Sequence, residues 1–273
     1  MSTNASLKEL GLSIIAVANQ KGGVGKTASV AALASGLARR GERVLIIDGD
    51  PQGNLSLHFI PVSRVEASKG APLKDLGYLL HQLASGESST LSLLDECILK
   101  RVKLRLDLLP ISQRHLRTEL GDEGIHRAGK AFAVLLKKLK SRYDWIIIDS
   151  SPSNGVLERL LISASEAVII PLEFQIFSMS GLDAILSDTA ECAELSGHPI
   201  RPHALIITKV ENSLARVESY RKLFASFQIP IFEVCKSEYV SRAFERGKTI
   251  WEAAPSSYVA KDYDRIISKA FLG

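Results

Sequence analysis

The chain has 273 residues, 46% of them apolar and 23% charged, which describes an ordinary globular protein and excludes a disordered or fibrous one. That length allows one large α/β domain or two small ones, either able to bury a sizeable core. No apolar run approaches the ~20 residues needed to cross a bilayer, and Met1 to Ser13 has no apolar signal core, so a cytoplasmic protein is expected. Cys97, Cys192 and Cys235 are scattered and form no CxxC pair, so reduced thiols are expected.

The net charge of +4 is unevenly spread. Residues 1–99 are neutral overall, 100–142 carry +8, 143–200 carry −8, 201–251 carry +4, and the remainder is neutral. Two basic blocks point either to a polyanionic partner or to solvated helix faces.

In chain order, Ile14 to Ala18 is a short apolar run that reads as a buried strand. Val30, Leu33, Ala34 and Leu37 then recur at helical spacing between Thr27 and Arg39, and Gly41 can stop that helix. Val44 to Asp48 is the next strand, which completes a βαβ unit. Region 54–103 is the least patterned; 63–73 and 84–90 read as loops. Leu104, Leu106 and Leu108 alternate as one strand face until Pro110. Ala131 to Leu139 reads as an amphipathic helix, and Trp145 to Asp149 as the clearest buried strand. Further strands are expected at 167–171, 204–208 and 229–234, a helix after Gly181, and an amphipathic terminal helix at 259–271. Aliphatic strands alternating with helices predict an α/β fold: a mostly parallel twisted sheet with helices on both faces, in one domain over 1–273, with 1–13 as a short N-terminal extension.

Between the first strand and its helix lies Lys21-Gly22-Gly23-Val24-Gly25-Lys26-Thr27-Ala28. Glycines let backbone N–H groups approach phosphate oxygens, and the helix N-terminus adds its positive dipole end. Lys26 would reach the β- and γ-phosphates and the Thr27 hydroxyl would ligate Mg²⁺. The general pattern GxxxxGK[ST] is met except at its first Gly, where Gln20 stands. The βαβ unit ends in Asp48-Gly49-Asp50-Pro51-Gln52-Gly53-Asn54, and strand 145–148 runs into Asp149-Ser150-Ser151-Pro152-Ser153, an apolar run ending in a metal-binding Asp. Thr208-Lys209-Val210-Glu211 lacks the Asn and Asp of a guanine-reading motif.

With KGGVGKT, the sequence resembles the ParA/MinD group of deviant Walker ATPases, and more closely the ParA partition proteins. The resemblance covers nearly the whole chain and is dense at 19–56, 144–152 and 235–252. It implies a P-loop NTPase with ATP and Mg²⁺ as cofactors. It implies that Lys21 reaches across a homodimer to the other subunit's phosphates, that Asp50 orients the attacking water, and that Asp48 and Asp149 serve the metal. Asp48 and Asp50 need not share a role. Ser150-Ser151-Pro152-Ser153 departs from the family's usual D-T/C-P-P.

The stretch Lys236 to Lys248 looks like the ParA segment ending in GK, with Arg242 replacing the family's Glu. By resemblance, Lys236, Arg242, Arg246 and Lys248 would contact DNA in the ATP-bound dimer, with Arg216, Arg221 and Lys222 as outer members. Such contacts would be to phosphate, hence sequence-independent and salt-sensitive. The block 100–142 could instead be the DNA face. The expected partners are a second copy with ATP, non-specific DNA and a ParB-like stimulating protein, with no membrane, and the ATP-bound form would sit on the nucleoid. Val259 to Gly273 is near neutral, poor for an anionic membrane, and its Ile266, Ile267, Ala270 and Phe271 are expected to dock on the core. With only 13 residues before the first strand, no N-terminal operator-binding domain is expected. Two rivals remain: a nucleotide-switched positioning protein acting through protein partners or membrane, and a metal- or cluster-delivery ATPase, which the lack of paired cysteines disfavours.

Overall fold

The computed structural model describes residues 5–60, 74–86, 90–112, 122–153, 155–173, 178–211, 222 and 224–273. Strands β1 (Ile14–Val17), β2 (Val44–Gly49), β3 (Leu99–Lys103), β4 (Leu106–Leu109), β5 (Trp145–Ser150), β6 (Ala167–Glu173), β7 (Arg201–Val210) and β8 (Ile231–Cys235) form one sheet in the order β3-β4-β2-β5-β1-β6-β7-β8. All neighbours are parallel except β3 and β4, an antiparallel hairpin at the edge. The fold is therefore the mostly parallel α/β architecture expected.

Each central strand is an unbroken aliphatic run because it is covered twice, and alternate residues serve opposite layers. Ile14, Ala16, Leu45, Ile47, Ile146 and Ile148 face one core. Helices α3 (Leu76–Ser85), α4 (Leu91–Cys97), α5 (Asp122–Leu139), α6 (Val156–Ser163) and α7 (Ser178–Ser196) cover it. Ile15, Val17, Val44, Ile46, Trp145 and Ile147 face the other. There lie α1 (Lys26–Arg39), α2 (Asn54–Phe59), α9 (Ile250–Ala253), α10 (Tyr258–Ile266) and the wider-wound turn Ile267–Leu272. Helix α8 (Glu238–Glu245) packs beside α9 at the rim of this layer. Ile266, Ile267, Ala270 and Phe271 are buried in the second core, so the terminal helix docks as expected. No described helix is long and apolar enough to cross a membrane.

Several sequence expectations need correction. Leu104 is not on a strand face but 82% exposed in the β3–β4 turn, where Arg105 takes φ 58°. The alternation continued one residue pair too far because β3, whose Lys and Arg residues edge the sheet, gave no apolar signal. Residues 84–85 are helical, ending α3; 61–73 and 87–89 lie outside the described residues. Helix α7 begins before Gly181 rather than after it, and the last strand starts at Ile231, beyond Pro230.

Candidate nucleotide site

The loop 19–27 leaves the C-terminal end of β1, between β5 and β6 and one strand from β2, so the carboxylates that end β2 and β5 lie beside it. Gly25 is the N-cap of α1 at φ 87°, a left-handed conformation costly for other residues, and no side chain caps that helix. The first-turn N–H groups thus stay available to an anion.

The loop is braced from outside. Asn19 donates through Nδ2 to Pro171 O at 2.7 Å and accepts from Lys21 N at 2.9 Å. Thr208 donates from Oγ1 to Val24 O at 2.9 Å, and Lys209 from Nζ to Gly23 O at 2.9 Å. The pair that superficially resembles a guanine-reading motif therefore supports the phosphate loop from behind. Gln20 bonds Asp188 on α7. Lys26 is buried and donates from Nζ to Asn19 O at 2.8 Å and Lys21 O at 3.1 Å. Burial pulls its ammonium below the usual value, opposed by the charges of Asp149, Glu158 and Asp50. Lys21, Gly22 and Gly23 are exposed at the outer edge; Val24 is buried, and Thr27 and Ala28 are half-buried in the first turn of α1.

Asp48 and Asp149 are register partners on β2 and β5. By the alternation of their strands both point toward α1, where Lys26 and Thr27 lie. Both are fully buried. Asp48 Oδ2 accepts from Ser56 N at 2.7 Å and Ser56 Oγ at 2.6 Å, and Oδ1 accepts from Asp50 N at 3.2 Å. Burial still raises Asp48 to about 6, against those bonds. Neither oxygen of Asp149 has a hydrogen-bond partner. Burial, reinforced by the nearby Asp48 charge, holds its carboxyl well above the ordinary range, and the Thr27 hydroxyl close by counters only part of this. A buried carboxylate with open oxygens beside a hydroxyl is a donor set that fits Mg²⁺.

Residues two apart on one strand share a face, yet Asp50 does not join Asp48, because β2 ends at Gly49. Asp50 sits half-buried in the turn, accepting from Gln52 N at 2.9 Å. Gly49 and Ser150 point to the opposite layer, against α6. A Cβ on Gly49 would stand 2.2 Å from Leu161 Cδ1 and 2.6 Å from Asp149 O.

Glu158 on α6 carried no sequence signal. It is buried, accepts from Ser150 Oγ at 3.4 Å through Oε1, and leaves Oε2 unpartnered. Burial raises it to about 7, with Lys26 lowering and Asp188 raising it. The three cysteines are free thiols, and burial pushes Cys97 up to about 12 and Cys235 to about 11.

The predicted basic residues lie at α8 and the turn after it. Lys236 pairs with Glu211 at 2.7 Å and Arg242 with Glu238 at 2.7 Å. Arg246 and Lys248 are exposed, and no ion pair among the described residues engages them. Lys222 is exposed; Arg216 and Arg221 lie outside the described residues. In the 100–142 block, Lys100, Lys103, Lys140 and Arg142 are held in ion pairs. Phe244 of α8 stacks on His58 of α2, with ring centroids 4.0 Å apart and planes at 22°.

The family model described as AAA domain matches residues 12–198. An uncharacterised protein of Mycobacterium tuberculosis is 36% identical over 184 residues, 65% of this chain and 52% of the relative. The chain thus spans about half the length of that relative. The chromosome-partitioning ATPase Soj of Thermus thermophilus is 29% identical over 258 residues, 92% of each chain. Among solved structures, the ATP complex of a Cyanothece McdA variant aligns with TM-score 0.75 at 19% identity, covering 94% of this chain and 96% of that one. The chain belongs to the AAA-domain family.

Proposed function

We propose that this chain, acting as one domain, hydrolyses ATP with Mg²⁺ in an ATP-dependent homodimer that binds DNA non-specifically and positions a plasmid, chromosome or protein cargo in the cytoplasm. The observation that carries the reading is the buried, unpartnered carboxylate of Asp149 beside the uncapped N-terminus of α1. That arrangement is incomplete without a cation and an anion together. Mg²⁺ bound with the nucleotide neutralises charge on the phosphate oxygens. Asp149 and Thr27 hold it, with Asp48 behind them. The N–H groups of 22–28 and Lys26 cradle the phosphates, Asp50 orients the attacking water, and Lys21 of one subunit reaches the other's nucleotide. A ParB-like partner stimulates turnover.

Support for DNA binding is the exposed pair Arg246 and Lys248, which duplicates in a dimer so that nucleotide can gate affinity through avidity. The deciding experiment measures binding to random duplex DNA without nucleotide, with ADP and with ATP, at two salt concentrations. The reading expects ATP-dependent binding that fails at high salt and on changing Arg246 or Lys248. ATP hydrolysis with no DNA binding in any state would move the function to positioning through proteins.

A further inference from the structure

On the layer away from α1, a groove of about 540 Å³ runs over α6, between α5 and the C-terminal end of α7. It is the size of a ligand or helix cleft, but its make-up is that of a protein-binding surface. Its floor holds Ala133, Val134, Val156, Leu160 and Leu195. Val134, Val156 and Leu195 are 52%, 52% and 59% exposed, three large apolar side chains gathered in one groove. On α5 the lining recurs at Lys130, Val134 and Lys137, and on α6 at Val156, Leu160 and Ser163, so two helical stripes run along the cleft.

The rim decides what can lie there. Among the described residues, Lys130, Lys137 and Arg159 line the groove with His126 and His198, and no carboxylate does. Arg159 is engaged by Glu191 at 2.8 Å; no ion pair among the described residues engages Lys130 or Lys137. Covering the groove desolvates these ammonium groups, which requires an occupant that brings negative charge. A second copy seated by two-fold symmetry would set these cations against themselves. Nucleic acid would leave the apolar floor unfilled.

We infer that this groove docks an amphipathic helix of another protein, apolar on one face and flanked by Asp or Glu. Helix α6 is shared between groove and nucleotide site: Val156 and Leu160 line the groove while Glu158 and Leu161 face Ser150 and Gly49. The inference does not depend on DNA binding.

The test uses two labelled synthetic helical peptides with the same leucine stripe, one with Glu and one with Lys on the polar face, read by fluorescence anisotropy. The Glu peptide should bind saturably, weaken about tenfold or more on Val134→Asp, and lose its advantage over the Lys peptide in the Lys130→Glu/Lys137→Glu variant. Both sets of changes are at exposed positions, and thermal unfolding would check that the variants stay folded. Absence of saturable binding, equal binding of the two peptides, or indifference to Val134→Asp would overturn the inference. So would a nucleotide-free dimer that Val134→Asp converts to monomer, since the occupant would then be a second copy.

Discussion

Asp48 and Asp149 stand opposite one another on adjacent parallel strands, equally buried, but only Asp48 has hydrogen-bond donors. Asp149→Asn should therefore raise the melting temperature of the nucleotide-free protein, by roughly 2–4 °C for each kcal/mol of relieved repulsion. It should also remove the extra stabilisation that Mg²⁺ adds to ATP, since the stabilisation reports binding to the folded state. Calorimetry with ATP in the presence of Mg²⁺ or a chelator would check both; an undiminished Mg²⁺ increment would clear Asp149 of any metal role.

Lys21 lies exposed at the rim, whereas Lys26 is buried and held by two carbonyls. Lys21→Ala should leave nucleotide affinity within a few-fold and lower turnover by about tenfold or more, as expected for a charge that acts on the transferring phosphate. Fluorescent-nucleotide titration beside phosphate release separates the two quantities. Normal turnover would rule out action in trans.

Gly49 has no room for a methyl group, with Leu161 and the Asp149 carbonyl in its place. Gly49→Ala should cost about 1–3 kcal/mol, the usual range for overpacking. A second change, Leu161→Ala, should recover part of the ATPase activity by opening the space, measurable as phosphate release in the single and double variants.

Glu158 lies near 7 in the folded protein against an ordinary 4.5, so the folded state keeps a proton that the unfolded chain releases. Its contribution is intact below about 4.5 and is lost as pH rises to about 7. His58 acts in the opposite sense: burial lowers it to about 4, so stability is lost as pH falls from 6.5 toward 4. Comparing Glu158→Gln with the parent isolates the first effect. Urea unfolding should show the variant gaining on the parent as pH rises, by at most about 3 kcal/mol at neutral pH. A pH-independent difference would place Glu158 outside the titrating set.

Much of the fold and the phosphate loop was legible because both rest on local patterns. Aliphatic runs such as Trp145–Ile148 announce a doubly covered strand, and glycines before Lys26-Thr27 announce a loop opening a helix. Edge strand β3 was not legible, since a strand bearing Lys100, Arg101 and Lys103 on a solvated rim carries no apolar period. Nor were Ser56, Glu158, Thr208 and Lys209 as parts of the site. Each reaches it through tertiary packing, Thr208 from 184 positions away from its partner Val24, and no spacing rule spans that distance.

The ring of His58 stacked on Phe244 ties α2 to α8. Asp48 grips Ser56 within the first turn of α2, and His58 follows two residues later on that short helix. The contacts run unbroken from Asp48 through α2 to α8, whose end leads directly to Arg246 and Lys248. This chain of contacts stays on one layer of the molecule and joins the end of β2 to the basic turn without crossing the sheet between the two cores.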